Sequence, residues 1–460
     1  MSVSRRRIHS NSAALVVLVL VSGCVSAGRS SQSPACPADG VAQTAGPAAS
    51  EGGDLVIVGR IVTMNDPAGA EALLIQAGLV TCVGTRDEVL ARAGEEVEVL
   101  DIGSNVAYPG FIDAHAHWIG DRDYYGIGSP EEAMEAAIRH GWTSISEQWV
   151  NEEQLTELES LAAESALPLR VDAYLALNYG EEFFGDWYLG REPRSVGDRL
   201  DVRGLKIHLD TGNGASINWE AEELTLTIGR ANDAGWQISV HAVSTDAQEL
   251  VLDAFEAAIG RNGPNPLHHR IEHALQVTDE QLERMVAMDL VPVIQLDGVA
   301  GDWVAWAKSL GEEGRDYEAE GVELLGRWRD FVDAGLHVAA TTDMPWFLVD
   351  LNLTDDIARP QDQIAGGMDG RGRVYPDVPA WLLEQLLTAE EGLRALTVDA
   401  AWAIDDEASR GHLAVGAYGD VTILSDDVTD GTPDEIRAIE VVATIVDGEI
   451  AYCADPDLCG

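Results

Sequence analysis

Between residues 108 and 405 short apolar runs alternate with helix-like segments, and this repeated switch of period restricts the fold more than any other feature of the chain. Candidate strands are 108–114, 143–148, 169–177, 204–209, 237–241, 269–273, 291–296 and 337–342. Helix-like segments between them include 130–140, 152–165, 220–234, 246–259, 278–288 and 321–334. Strands joined through helices are parallel, because the crossover brings the chain back to the same end of the sheet. Eight such units predict a (β/α)8 barrel, whose chemistry sits at the C-terminal ends of the strands.

That rule can be tested within the sequence. His115 and His117 end the first candidate strand, Lys206 lies in the fourth, His241 ends the fifth, His273 ends the sixth and Asp343 follows the eighth. Along an extended segment alternate side chains share a side, so His115 and His117 can bind one metal ion. Two histidines among the eleven of the chain are a weak signal alone. Six candidates at one rim are a strong one.

Four neutral imidazoles and a carboxylate suit a divalent ion such as zinc, one or two per chain. Lys206 is the odd member, since an ammonium cannot ligate. The chain has only two lysines, Lys206 and Lys308, and otherwise uses arginine. A buried lysine can lose its proton, and the neutral amine can add carbon dioxide to become a carbamate able to bridge two metals. The plainer reading pairs Lys206 with Asp210 or another carboxylate.

The flanks read differently. Residues 54–103 look like short strands with glycine turns, and the same texture returns at 419–424 and 441–450. Two half-sets of strands at opposite ends of the chain can complete one small β domain, or stand as separate additions. The N-terminus carries Arg5-Arg6-Arg7, an apolar run from Ala13 to Val21 and then Ser22-Gly23-Cys24. A basic head, a short apolar segment and a small-residue cleavage site describe an export signal. Val21-Ser22-Gly23-Cys24 also resembles a bacterial lipobox, with Cys24 the acylated residue; ordinary secretion is the alternative. The expected organisation is 1–24 lipoprotein-type signal, 25–53 flexible linker, 54–107 first sandwich segment, 108–405 barrel, 406–452 second sandwich segment and 453–460 tail. The chain is thus expected to be exported and held at a membrane, on the periplasmic or cell-surface side, through a lipidated N-terminus.

The formal charge of −50, from 79 acidic and 29 basic residues, argues against nucleic acid as partner, because phosphates would be repelled. A solvated acidic shell is its simpler meaning. Of the five cysteines, Cys453 and Cys459 lie close enough in sequence to pair in an oxidising compartment.

The set Pro109-Gly110-Phe111-Ile112-Asp113-Ala114-His115-Ala116-His117, Lys206-Ile207, His241-Ala242, Arg270-Ile271-Glu272-His273-Ala274 and Thr342-Asp343-Met344-Pro345 resembles the amidohydrolase superfamily. Its details are most similar to amidohydrolase family 3, which includes the N-substituted formamide deformylases, as is the closing stretch from Leu387 to Ala401. The resemblance implies a barrel plus a β-sandwich completed by both chain ends. It implies His115, His117 and Asp343 on one metal, His241 and His273 on a second, and carboxylated Lys206 bridging them. Such a centre would polarise a carbonyl and supply hydroxide, with Asp343 passing the water's proton to the leaving nitrogen.

Trp118, Trp149, Trp219, Trp303 and Trp346 fall shortly after strand ends, where loops would wall a pocket, and His208 shares the face of Lys206. These residues suggest a small, largely apolar substrate; ordinary packing is the alternative. The expected activity is hydrolysis of a non-peptide carbon–nitrogen bond in a small molecule. A mononuclear deaminase and a non-catalytic metal- or ligand-binding surface lipoprotein are the competing readings. His268, His269 and His337 lie toward the opposite rim and read as structural.

Overall fold

The computed structural model describes residues 36, 52–66, 68–94, 97–212, 214–297, 301, 302, 304, 305, 308, 316–346, 359–371 and 377–459. The expected export signal with Cys24, most of the expected linker and Trp303 lie outside the described residues.

The chain begins in a sheet with β1 (Leu55–Val62), β2 (Gly69–Gln76), β3 (Leu79–Gly84) and β4 (Glu98–Pro109). It then builds the barrel from β5 (Phe111–Ala116), β6 (Trp142–Val150) and β7 (Arg170–Ala176). The short strands β8 (Asn178–Tyr179), β9 (Glu182–Phe183) and β10 (Arg194–Val196) follow. The barrel resumes with β11 (Leu200–His208), β12 (Gln237–Ala242), β13 (Arg270–His273), β14 (Val291–Ile294) and β15 (Ala339–Ala340). The chain ends in β16 (Val421–Leu424), β17 (Val441–Val446) and β18 (Glu449–Cys453).

Barrel strands pair in the order β15-β14-β13-β12-β11-β7-β6-β5, and neighbouring strands are parallel. The predicted (β/α)8 architecture is therefore present. Its strands are buried on both faces, as β7 shows along its whole length, because helices cover the outside and side chains fill the inside. Several of the covering helices start on side-chain caps: Ser129 accepts from Glu132 N–H, and Asn151 and Thr278 form complete capping boxes.

Two differences from the expected elements have physical causes. The first candidate strand is split at Gly110: Tyr108 and Pro109 pair with β16 in the other sheet, and only Phe111 onward joins the barrel. A Cβ at Gly110 would lie 2.1 Å from Thr143 Oγ1, so the crossing between sheets needs glycine. The eighth strand shrinks to Ala339–Ala340, because side chains replace its ladder to β5. Buried Asp113 accepts Thr341 Oγ1 at 2.8 Å, Thr342 N–H at 2.9 Å and Thr342 Oγ1 at 2.6 Å. Backbone bonds from Asp343 N–H to the His115 carbonyl (3.1 Å) and from His117 N–H to the Met344 carbonyl (2.7 Å) complete the closure.

The second sheet runs β18-β17-β16-β4-β1-β2-β3, so strands from both chain ends complete one structure. Leu55, Ile57, Leu73 and Ile75 from its first half share a core with Val421, Ile423 and Ile445 from its last. It is fastened to the base of the barrel by buried Arg170, which donates to Asp420 at 2.7 and 3.2 Å and also reaches Asp447. Arg170 is the first residue of β7, so this bidentate pair links a barrel strand directly to the terminal segment.

Cys453 joins Cys459, as the spacing suggested, and Cys36 joins Cys82 of β3 across a sequence separation of 46, a pairing that spacing could not indicate. No helix among the described residues is long and apolar enough to cross a membrane.

Candidate metal centre

Six of the residues singled out in sequence converge at the C-terminal rim. His115, His117 and Asp343 offer ligand atoms all within 4.8 Å of one another, and all three are buried. His115 Nε2 and His117 Nε2 each stand 3.4 Å from Asp343 Oδ1. The other imidazoles continue in a chain: the His115 ring is 5.1 Å from that of His273, and His273 is 4.5 Å from His241. Lys206 enters from β11, fully buried, with Nζ 5.8 Å from the Trp149 ring centre and no hydrogen-bond partner.

The backbone is bent to reach this arrangement. His273 has φ +70° and Asp343 φ +54°, left-handed values that cost a non-glycine residue on the order of 1 kcal/mol each. Both fall where a strand gives way to its loop, and the turn carries the side chain inward over the barrel axis.

Electrostatics keep the imidazoles neutral, which is the ligating form. Burial holds His115 and His241 well below the ordinary histidine value and brings His117 down to about 4. Burial also lowers the Lys206 ammonium to about 7, so near neutrality much of it is a free amine. Donor chemistry, an orphaned amine and an orphaned His241 Nε2 together fit a divalent metal and a modified lysine.

Three residues support the centre in ways the sequence did not indicate, among them Asp210, which is directed to His241 and Ser244 while Lys206 Nζ makes no hydrogen bond. Glu272 Oε2 meets His115 Nδ1 at 2.7 Å, leaving His115 Nε2 to face Asp343. Burial alone would raise the Glu272 carboxyl, but Arg270 and His115 hold it well below its usual range. Gln295, at the end of the seventh barrel strand, places Nε2 2.9 Å from His273 Nδ1 and 3.3 Å from Asp343 Oδ2. Asp210 lies 3.5 Å from His241 Nε2 and accepts the Ser244 N–H at 2.9 Å. Glu272 precedes His273 within its motif stretch and Asp210 stands four residues after Lys206, so adjacency was the available signal; Gln295 carried none.

The aromatic residues divide. Trp149 stacks 4.5 Å from the His117 ring and meets Tyr179 edge-on at 4.9 Å, and exposed Trp346 lies 6.5 Å from His117 and 5.1 Å from Tyr124. Trp219 is buried and packs 4.7 Å from Phe183. Trp118 does not wall a pocket: it is wholly buried, with its indole N–H donated to Asp113 at 3.0 Å, because the chain after His117 turns it into the core. His208 does reach the centre, its ring 4.4 Å from that of His241. His268 and His337 both stack on Trp402, away from the centre, as expected of structural residues.

Residues 127–452 match the sequence model of the amidohydrolase family. The chain is 26% identical over 342 residues to the amidohydrolase YtcJ of Bacillus subtilis, covering 72% of this chain and 57% of that protein. It is 26% identical over 251 residues to the N-substituted formamide deformylase of Arthrobacter pascens, covering 54% of this chain and 42% of that enzyme. The chain thus spans about half the length of the curated relatives it matches. In three dimensions it is similar to a metal-dependent hydrolase from Pyrococcus horikoshii, with TM-score 0.66 and 19% identity over 83% of this chain and 99% of that one. It is also similar to molinate hydrolase, with TM-score 0.60 and 18% identity over 87% and 94%.

Proposed function

This chain belongs to the amidohydrolase family, and from that premise we propose that it is a metal-dependent hydrolase acting on a non-peptide carbon–nitrogen bond of a small molecule. The observation that carries the proposal is the group His115, His117 and Asp343, buried together at the catalytic rim of the barrel. These three would hold one ion and His241 and His273 a second, with Lys206, once carboxylated, the residue that would serve both. The donor set suits zinc, which when bound supplies Lewis acidity and a water of lowered pKa. Asp343, with Gln295 donating to its second oxygen, receives a proton at one carboxylate oxygen and returns it to the leaving nitrogen. Trp149, Tyr179, Trp346 and Tyr124 present flat apolar surface to the substrate, which favours a neutral acyl or aromatic group.

A mononuclear centre is the second reading. It is favoured by the tight grouping of His115, His117 and Asp343 without Lys206. Metal analysis with and without bicarbonate separates the two, because only the carbamate-bridged pair gains a second ion with bicarbonate. Turnover is tested on N-formyl, N-acyl, cyclic amide and urea-like compounds. Activity confined to peptides or to highly charged substrates would overturn the assignment.

The proposed location is outside the cytoplasm, with Cys24 acylated and the protein held at a membrane surface. The cysteine pairs Cys36–Cys82 and Cys453–Cys459 support an oxidising compartment. Mass spectrometry of the mature N-terminus tests it: an unprocessed, unacylated chain in the soluble fraction rules it out.

A further inference from the structure

His208 closes β11, two residues after Lys206, and its ring is held in one tautomer by the backbone. The Gly180 N–H donates to His208 Nδ1 at 2.9 Å. An amide N–H can only donate, so Nδ1 is the bare nitrogen and the neutral ring carries its hydrogen on Nε2. Asn178 builds this geometry. Its Oδ1 accepts the His208 N–H at 3.0 Å, and its Nδ2 donates to the carbonyls of His208 (2.8 Å) and Gly180 (2.7 Å). One side chain thereby ties the end of β11 to the turn that presents Gly180, whose φ of +55° suits glycine.

The other ring nitrogen, Nε2, is buried and has no hydrogen-bond partner. It belongs to a ring 4.4 Å from His241, 5.1 Å from Trp149 and 5.5 Å from Tyr179. A nitrogen bearing hydrogen has no lone pair for a metal, so this imidazole is not a fifth histidine ligand. A buried donor left unpaired is also costly, and such a cost is tolerated where a ligand completes the bond.

We propose that His208 is a substrate-facing donor: its Nε2–H hydrogen-bonds the carbonyl oxygen of the scissile group and strengthens that bond as the oxygen gains negative charge. This rests on the hydrolase reading of the same centre. The proton stays on Nε2 throughout, so His208 stabilises charge without exchanging a proton.

The test begins with ¹⁵N NMR of the metal-free full chain. The expected spectrum shows a pyridine-type Nδ1 and a protonated Nε2 for His208, and the Nε2–H signal persists when zinc is added. A proton on Nδ1, or loss of the Nε2 proton on zinc binding, overturns the proposal. Acetohydroxamate, whose carbonyl oxygen gains charge on a metal, is then titrated into zinc-loaded protein. His208→Phe should bind it at least about tenfold more weakly at unchanged zinc content, and His208→Gln, which keeps an N–H, should recover most of the affinity. Equal affinity in His208→Phe overturns the donor role. Failure of the wild type to take up zinc overturns the underlying hydrolase reading instead, and the metal-free spectrum tells the two failures apart.

Discussion

Glu272 Oε2 lies 2.7 Å from His115 Nδ1, and its Oε1 accepts Arg270 Nε at 2.6 Å and the Ser239 hydroxyl at 2.8 Å. The carboxylate therefore fixes which nitrogen of His115 is free, while Arg270 from the same strand keeps it ionised. Glu272→Gln, which keeps the shape and removes the charge, should weaken zinc binding roughly 10- to 100-fold. Glu272→Ala also strands the buried Arg270 charge and should cost about 3–5 kcal/mol of stability. Chelator competition and thermal melts measure the two effects; wild-type zinc affinity in the Gln variant would mean that the contact orients nothing.

Asp343 combines ligation with proton transfer, and the two can be separated. Asp343→Asn keeps one oxygen toward His115 and His117 and leaves the backbone bond from residue 343 to the His115 carbonyl untouched. It removes the group that accepts a proton. Turnover should fall at least about 100-fold while much of the metal remains bound. Near-normal turnover would show that the proton travels elsewhere.

Lys206 gives the centre a pH dependence of its own. An ordinary lysine titrates near 10.5, and burial brings this one to about 7. Below that pH the ammonium cannot add carbon dioxide; above it the amine can. Metal uptake in the presence of bicarbonate should therefore rise between pH 6 and pH 8 toward two ions per chain. Lys206→Ala should stay at one ion or fewer across the range. Equal metal content at both pH values, with or without bicarbonate, would favour the mononuclear centre.

The parts of the centre that were legible in the sequence share one property: their signal is periodic or local. His115 and His117 stand two apart on a strand, and strand ends recur with the alternation of elements, so the barrel rule located Lys206, His241 and His273 as well. What could not be read depends on contacts between distant segments. Gln295 meets His273 from the neighbouring strand, 22 residues away in sequence, Cys36 meets Cys82, and Asp113 closes the barrel by binding Thr341 and Thr342. Trp118 shows the same limit from the other side. Its position after a strand end suggested the pocket wall, yet the Asp113 carboxylate that draws in its indole is set by the closure of the barrel.

Glu147 provides a test outside the metal chemistry. This buried residue of β6 accepts the N–H groups of Ile119 (3.1 Å) and Gly120 (2.7 Å), holding the loop that follows His117. Burial nonetheless pushes its carboxyl from the ordinary 4.5 up to about 8. The folded state thus keeps a proton that the unfolded chain releases, so this group's stabilisation is full below pH 4.5 and is lost as pH rises toward 8. The size is on the order of a few kcal/mol. The buried histidines act in the opposite sense, losing stability as pH falls below their ordinary value of 6.5, and mask the trend in the wild type. Glu147→Gln isolates it: the melting temperature of the wild type relative to the variant should decline between pH 5 and pH 8. The slope of that difference decides the matter, because glutamine offers one N–H where glutamate offered an oxygen and shifts the level at every pH. A difference that stays flat across the range would mean that Glu147 is already ionised in the folded protein, its two backbone donors outweighing the cost of burial.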